Sequence, residues 1–426
     1  MNVCVFGLGK LGAPMVAVFA SKGHNVIGVD VNEQYVEALN EGWAPVEETG
    51  LADMITANRV RIAASMDPNW AVLNSNIIFV VVPTPSDASH RFSVKHVLAA
   101  MTVIGESLRE NGQERVVVLT STVMPGTMDR EVIPALEAAV NAKNYKVCYN
   151  PEFIALGSVI QDIQQPDFIL IGESDKWAGA ILEEFYNSMD IGPVVRMNFV
   201  NAELTKLALN AYVTTKISYA NMLGEICEQI PGADARVVTA AIGLDKRIGR
   251  AFLRPGTAYG GPCFPRDSRA MTVLAQDVGI SPDLSVATDV INDRQARRLA
   301  DIVQAHLRTD GLVGILGLSY KPGTPITEES ASLHLARQLR LREIPVVAYD
   351  PEVPVDEVVC QWIKRVDSAA ECARLSDVLV IAVPYPEFAE LTPEDFDGPT
   401  TIIDCWGVLK PWESKDIQYL IPGTNL

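Results

Sequence analysis

Two hydrophobic periods alternate along the chain, and their order already outlines an architecture. Asn2 to Phe6 is an apolar run, the turn Gly7-Leu8-Gly9-Lys10-Leu11-Gly12 follows, and Ala13 to Ser21 carries apolar residues at helical spacing. A second run, Asn25 to Val29, closes at Asp30. The pattern predicts strand, glycine turn, helix, strand, one complete βαβ unit. Further apolar runs at Ile77 to Val82, Val116 to Thr120 and Lys146 to Tyr149 fit strands of a parallel sheet covered by helices on both faces.

From Val200 to Ile230 the period becomes that of one long helix. Leu204, Leu207, Ala211, Ser218, Leu223 and Ile226 supply its expected packing positions, and Pro231-Gly232 is its stop. After Arg298 the α/β alternation returns: a strand from Leu312 to Leu316, a turn at Gly317, a helix near Ser332 to Arg342, and a strand from Pro345 to Tyr349 ending at Asp350. Ile78-Phe79-Val80-Val81-Val82-Pro83-Thr84-Pro85 is echoed by Val378-Leu379-Val380-Ile381-Ala382-Val383-Pro384-Tyr385-Pro386. The expected fold class is therefore α/β, with two doubly wound, Rossmann-like domains (1–197 and 299–426) joined by a central helical domain (198–298) built on a long spine helix.

Length supports several domains, since 426 residues exceed what one hydrophobic core usually holds. A net charge of -18 argues against a nucleic-acid partner, which needs an electropositive footprint. No basic leader precedes the first strand and no apolar run spans a bilayer, so the expectation is a cytoplasmic protein without a membrane partner. Seven widely spaced cysteines and five scattered histidines predict neither a disulfide framework nor a metal site.

Gly7, Gly9 and Gly12 fit a dinucleotide turn: the first permits the tight bend, the second lets backbone approach a pyrophosphate, the third allows close helix packing. Asp30 stands where a carboxylate accepts ribose hydroxyls and repels a 2′-phosphate, which favours NAD over NADP. Lys10 either pairs with phosphate or is a plain surface lysine. Thr84 and Ser121-Thr122 lie at carboxyl ends of strands, where open α/β sheets bind ligands, and are candidates for contacts with the nicotinamide half or the substrate.

Gly260-Gly261-Pro262-Cys263-Phe264-Pro265-Arg266-Asp267-Ser268 places a cysteine in a glycine and proline turn at an expected helix start. The helix end and Arg266 would together acidify its thiol, and Asp267, four residues on, could return its carboxylate as base or water-orienter. Lys206 and Asn210 share one helix face, as donors stabilising a developing oxyanion must. Asn150-Pro151-Glu152-Phe153 offers a carboxylate at another strand end, to orient a water or bind sugar hydroxyls, or it is simply a turn.

These residues resemble the UDP-glucose/GDP-mannose dehydrogenase family over nearly the whole chain. The resemblance rests on the glycine turn, Thr84-Pro85, Ser121-Thr122-Val123, Asn150 to Phe153, Glu203-Leu204-Thr205-Lys206 through Asn210, Gly243-Leu244-Asp245 with Arg247-Ile248-Gly249, and Gly260 to Asp267. It implies two NAD-dependent oxidations of a nucleotide sugar's primary alcohol, with Cys263 holding the intermediate as a thiohemiacetal and then a thioester. It also implies that Asp267 assists hydrolysis, that Lys206 and Asn210 stabilise oxyanions, and that Glu152 and Thr122 position the water and the reacting centre. Residues 7–12 with Asp30, Thr84, Ser121, Thr122, Phe264 and Arg266 would face the cofactor. Glu152, Phe153, Lys206, Asn210, Arg254, Tyr259, Gly260 and Lys321 would face the nucleotide sugar, and Arg247 would reach a neighbouring subunit in a homodimer or larger homo-oligomer.

Three positions depart from the family pattern: Glu328 stands where an Arg is usual, Leu156 where a Glu is frequent, and Trp406 where an Arg follows a late strand. UDP-glucose oxidation to UDP-glucuronate is the favoured reading, ahead of GDP-mannose or a UDP-N-acetylhexosamine. A single-step 3-hydroxyacid or 6-phosphogluconate type dehydrogenase would not need Cys263. A non-catalytic nucleotide-binding protein on the same fold would tolerate the three departures.

Overall fold

The computed structural model describes residues 1–109, 113–140, 145–354 and 361–425; Cys360 lies outside them. It divides into two compact units, 1–208 and 209–426.

The first unit holds an eight-stranded sheet: β1 (Asn2–Phe6), β2 (Asn25–Val29), β3 (Ile62–Ser65), β4 (Ile77–Val80), β5 (Arg115–Leu119), β6 (Tyr145–Tyr149), β7 (Ile169–Glu173) and β8 (Val194–Met197), in spatial order 3-2-1-4-5-6-7-8. All pairings are parallel except β6 with β7. Strands β1, β4 and β5 are almost wholly buried because helices cover both faces, which is why their sequences are continuous apolar runs. The chain reverses direction along the sheet between β1 and β4, the place where such folds bind ligands at the carboxyl ends of strands.

The second unit repeats the plan with six strands: β9 (Val313–Leu316), β10 (Val346–Tyr349), β11 (Ile363–Arg365), β12 (Val378–Ile381), β13 (Thr400–Asp404) and β14 (Ile417–Leu420), in order 11-10-9-12-13-14 and all parallel. The echo seen in sequence is structural: β4 and β12 occupy equivalent places. It extends to single hydrogen bonds. Gly7 N–H donates to the Val29 carbonyl at 2.8 Å, and Gly317 N–H donates to that of Tyr349 at 2.8 Å. Leu8 N–H donates to Asp30 Oδ2 at 2.6 Å, and Leu318 N–H to Asp350 Oδ2 at 2.6 Å.

The expected spine helix runs Phe199–Cys227, ending three residues before the predicted Ile230. Its packing face matches the hydropathy reading only in part. Leu207 and Ser218 are buried as expected, Leu204 and Ile226 are 39 and 46 % exposed, and Glu203, Lys206, Asn210, Thr214 and Asn221 are buried as well. Polar side chains can be buried there because each finds a partner inside the protein, and a buried polar group with a partner costs little. Helices Ala235–Ile242, Phe264–Asp277 and Asp283–His306 follow before the second sheet.

Candidate active site

In the first unit the glycine turn shows three different reasons for glycine. Gly7 has φ +96°, and a Cβ there would lie 2.1 Å from the Val81 carbonyl oxygen. At Gly12 a Cβ would meet the Gly7 carbonyl oxygen at 1.7 Å, so the helix Gly12–Ser21 packs directly on the turn. Gly9 faces open space, with no atom within 4 Å of a Cβ position. Packing requires the outer two glycines; the middle one leaves room for backbone to approach a ligand. The following helix N-terminus then supplies N–H groups and a positive dipole end for phosphates.

Asp30 completes the cradle. It accepts Leu8 N–H at 2.6 Å and Asn32 N–H at 2.8 Å, one on each oxygen, so each oxygen keeps a lone pair for a ribose hydroxyl. Beside it lies an apolar pocket of ≈ 420 Å³ lined by Gly7, Val29, Val31, Met66, Val82 and His96, among others. A carboxylate at the rim of an apolar slot next to an open glycine turn could hold NAD, with the slot suited to adenine, Asp30 to a ribose and the Gly9 backbone to the pyrophosphate. Met66 and His96 carry no local sequence signal; strand order alone brings them there.

Thr84 and Ser121 are both buried and join neighbouring strand-end loops. Ser121 Oγ donates to the Val82 carbonyl at 2.6 Å and accepts Val82 N–H at 3.0 Å. Thr84 Oγ1 donates to the Thr122 carbonyl at 2.8 Å, which fixes the Thr122 backbone. Glu203, buried, accepts Gly126 N–H at 2.5 Å and Met128 N–H at 2.8 Å, anchoring the far end of the same loop to the spine helix.

Lys206 is 8 % exposed, so it is no solvated surface residue. Its Nζ donates to the Glu152 carbonyl at 2.8 Å and stands 4.8 Å from the Phe153 ring centroid. Burial pushes the Glu152 carboxyl up to about 7, against the lowering effects of Lys206 and of a hydrogen bond with Tyr186. Tyr186 also donates to Asn150 Oδ1, whose Nδ2 holds the Leu170 carbonyl at 2.9 Å. Leu156, the first departure from the family pattern, packs half-buried against the N-terminal core.

In the second unit Cys263 caps the helix Phe264–Asp277 and is the exposed one among the described cysteines; Cys4, Cys148, Cys227, Cys372 and Cys405 are buried. Burial pushes Cys148 and Cys372 up to about 12, so they stay protonated and unreactive. Asp267 is fully buried and accepts Asn210 Nδ2 at 2.6 Å and Arg266 Nε at 2.9 Å. Arg266, expected beside the thiol, places its Nε on Asp267, and Cys263 itself stands at the helix N-terminus. Phe264 meets Phe252 edge-on at 6.1 Å.

Tyr259, expected to face the substrate, is buried, and its hydroxyl donates to Asp289 at 2.7 Å. The side chain is therefore an anchor. Gly260 cannot carry a Cβ, which would lie 2.1 Å from the Glu329 carbonyl oxygen, and Gly261 N–H donates to the Glu328 carbonyl at 3.0 Å. Glu328 thus supports the cysteine turn through its backbone while its side chain is exposed. Arg254 stacks 5.9 Å from the Trp406 ring and also donates to the Trp406 carbonyl, and Trp406 Nε1 holds the Ala382 carbonyl at 2.8 Å. Lys321 stands 5.9 Å from the Tyr320 ring. Arg247 is highly exposed and chelated by Asp245 at 2.6 Å.

Comparison with known proteins agrees with this geometry. The chain matches the NAD binding domain of the UDP-glucose/GDP-mannose dehydrogenase family over residues 1–190, its central domain over 200–294 and its UDP binding domain over 314–411. It is 34 % identical to the UDP-glucose 6-dehydrogenase AglM of Haloferax volcanii, covering 99 % of this chain and 100 % of that one. It is also 34 % identical to the GDP-mannose 6-dehydrogenase of Pseudomonas aeruginosa over 80 % of this chain and 78 % of that one. The solved structure of a UDP-glucose dehydrogenase from Pyrobaculum islandicum superposes with a TM-score of 0.90 at 31 % identity, over 99 % of this chain and 98 % of that one. The chain therefore belongs to the UDP-glucose/GDP-mannose dehydrogenase family, NAD-dependent enzymes that oxidise the 6-position of a nucleotide sugar.

Proposed function

We propose that this enzyme oxidises the C6 hydroxymethyl of UDP-glucose to the carboxylate of UDP-glucuronate in two steps, through a covalent intermediate on Cys263. NAD, when bound, takes up the hydride released at each oxidation. The first oxidation turns the alcohol into an aldehyde. The Cys263 thiolate adds to that carbonyl carbon, forming a C–S bond and a thiohemiacetal; the second oxidation leaves a thioester. Water then cleaves the C–S bond, releasing the acid and returning the thiol.

The observation that carries this reading is an exposed cysteine at a helix N-terminus whose first turn holds a buried carboxylate bonded to Asn210. A helix N-terminus favours the thiolate over the thiol. Asn210 keeps one amide proton after its observed bond and Lys206 carries a buried ammonium, donors suited to an alkoxide or thiohemiacetal oxyanion. Glu152, with its carboxyl up near 7, is suited to take a proton from the reacting alcohol or from the hydrolytic water. Thr122 positions the reacting centre, and Asp267 orients the water. Arg254, Tyr259, Gly260 and Lys321 belong to the nucleotide-sugar side, with Tyr259 contributing by anchoring the chain that leads to Gly260.

Uridine over guanosine is supported by the similarity to a UDP-glucose 6-dehydrogenase over 99 % of this chain, against 80 % for a GDP-mannose 6-dehydrogenase at the same identity. We also assign the exposed apolar side chains of the spine helix to a homodimer. Tyr212, Tyr219 and Ile226 recur every seven residues, the spacing of a helix-pairing seam, and all three are exposed.

The test is product stoichiometry. Purified protein with NAD and UDP-glucose should give two NADH per sugar, and GDP-mannose or UDP-N-acetylhexosamines should react more slowly. Cys263→Ala should bind NAD as the wild type does and form no acid. Full turnover by that variant would remove the covalent mechanism, and one NADH per sugar in the wild type would favour the single-step class.

A further inference from the structure

We infer that Asp289 and Asn292, one turn apart on the helix Asp283–His306, form a clamp that fixes the segment 259–268 and so sets the position of Cys263. Both are positioning residues for the thiol chemistry, and the inference rests on the nucleophile reading above. Asn292 treats Tyr259 as a neighbouring strand would: Oδ1 accepts Tyr259 N–H at 2.8 Å and Nδ2 donates to the Tyr259 carbonyl at 3.1 Å. Asp289 gathers the two ends of the segment on one oxygen. Oδ1 accepts the Tyr259 hydroxyl at 2.7 Å and Ser268 Oγ at 2.7 Å.

Cys263 lies between these attachments, four residues after Tyr259 and five before Ser268. Tyr259, Ser268 and Asn292 are all buried, so the bonds form away from competing water. Their geometry is specific. A ten-residue segment containing two glycines and two prolines has little regular structure of its own before Phe264, and its course must come from outside contacts. The Glu328 carbonyl provides one contact, at Gly261 N–H, and the clamp provides four. Loss of the clamp frees the turn to shift, which moves the sulfur relative to the first turn of the helix Phe264–Asp277. Reactions needing a near-attack geometry are sensitive to such shifts.

The experiment measures two things in the full-length protein. One is the rate at which iodoacetamide alkylates Cys263, followed by peptide mass spectrometry; the other is kcat for NADH formation from UDP-glucose. Asp289→Ala should slow alkylation about tenfold, as loss of hydrogen bonds to a charged group allows. It should lower kcat roughly 100-fold, with NAD affinity unchanged. Asp289→Asn, which keeps an oxygen acceptor, should recover most of both. Should Asp289→Ala not fold, Tyr259→Phe deletes one arm while keeping the ring, and the same direction is expected. Wild-type alkylation and kcat in Asp289→Ala and Asn292→Ala, or in Tyr259→Phe where the former does not fold, overturn the clamp. A wild-type enzyme that makes no NADH from any sugar overturns the functional reading instead, and the alkylation rates still decide the clamp.

Discussion

Glu152 carries a specific consequence at the scale of one residue. Its carboxyl is raised from 4.5 to about 7 by burial. Between those values the folded protein binds a proton that the unfolded chain releases, so this group's contribution to stability falls as pH rises through that window. Activity follows the opposite sign if the carboxylate acts as base: kcat should climb as pH rises through about 7. Glu152→Gln should remove that limb from the pH profile and lower kcat by roughly 100-fold or more, while the midpoint of urea unfolding should decline less between acid and neutral pH than in the wild type. A variant that keeps the wild-type pH profile would take Glu152 out of the chemistry. Sequence pointed to this carboxylate by its place at a strand end. It could not supply the burial, nor the partners Tyr186 and Lys206, 34 and 54 residues further on, that act against it.

At the scale of elements, the glycine turn separates folding from binding. Gly12→Ala places a Cβ 1.7 Å from a backbone oxygen that cannot move without displacing the turn, so it should cost at least about 2 kcal/mol in denaturant unfolding. Gly9→Ala meets no atom of the protein and should unfold like the wild type, yet bind NAD about tenfold or more weakly in fluorescence titration. Equal affinity in Gly9→Ala would move the pyrophosphate away from this turn. The spine helix teaches the complementary lesson. Leu204, Tyr212, Tyr219 and Ile226 are exposed while Glu203, Lys206 and Asn210 are buried, because Glu203 caps a loop, Lys206 holds a carbonyl and Asn210 holds Asp267. Hydropathy alone does not place those polar side chains inside, since it assumes that burial follows side-chain polarity.

At the scale of the whole molecule, the duplication explains why only one Rossmann unit keeps its dinucleotide cradle. Asp350 corresponds to Asp30, but it is buried and receives N–H groups from Leu318, Ser319, Glu352 and Val353. Its acceptor capacity is used within the fold, while Asp30 keeps half of its own. The outward seam of the spine helix makes a separate prediction. Tyr212→Asp with Tyr219→Asp should shift the protein from dimer to monomer in light scattering, whereas the same change at exposed Trp177 should not. A monomeric wild type would overturn the homodimer.

The amino-acid sequence by itself determined the two α/β halves, the glycine turn, the long helix and the ordered motifs around Cys263. Each is written in local periodicity or in residue types that a single turn demands, and local sterics suffice to read them. Tertiary structure alone decided which face of the spine helix is buried, which of the two equivalent aspartates remains available, and how Asp289 and Asn292 hold the cysteine turn. Those outcomes depend on hydrogen bonds between residues 21 to 77 positions apart. Such partners leave no periodic trace in the chain, because the choice is made only when packing excludes water and every polar group must find another.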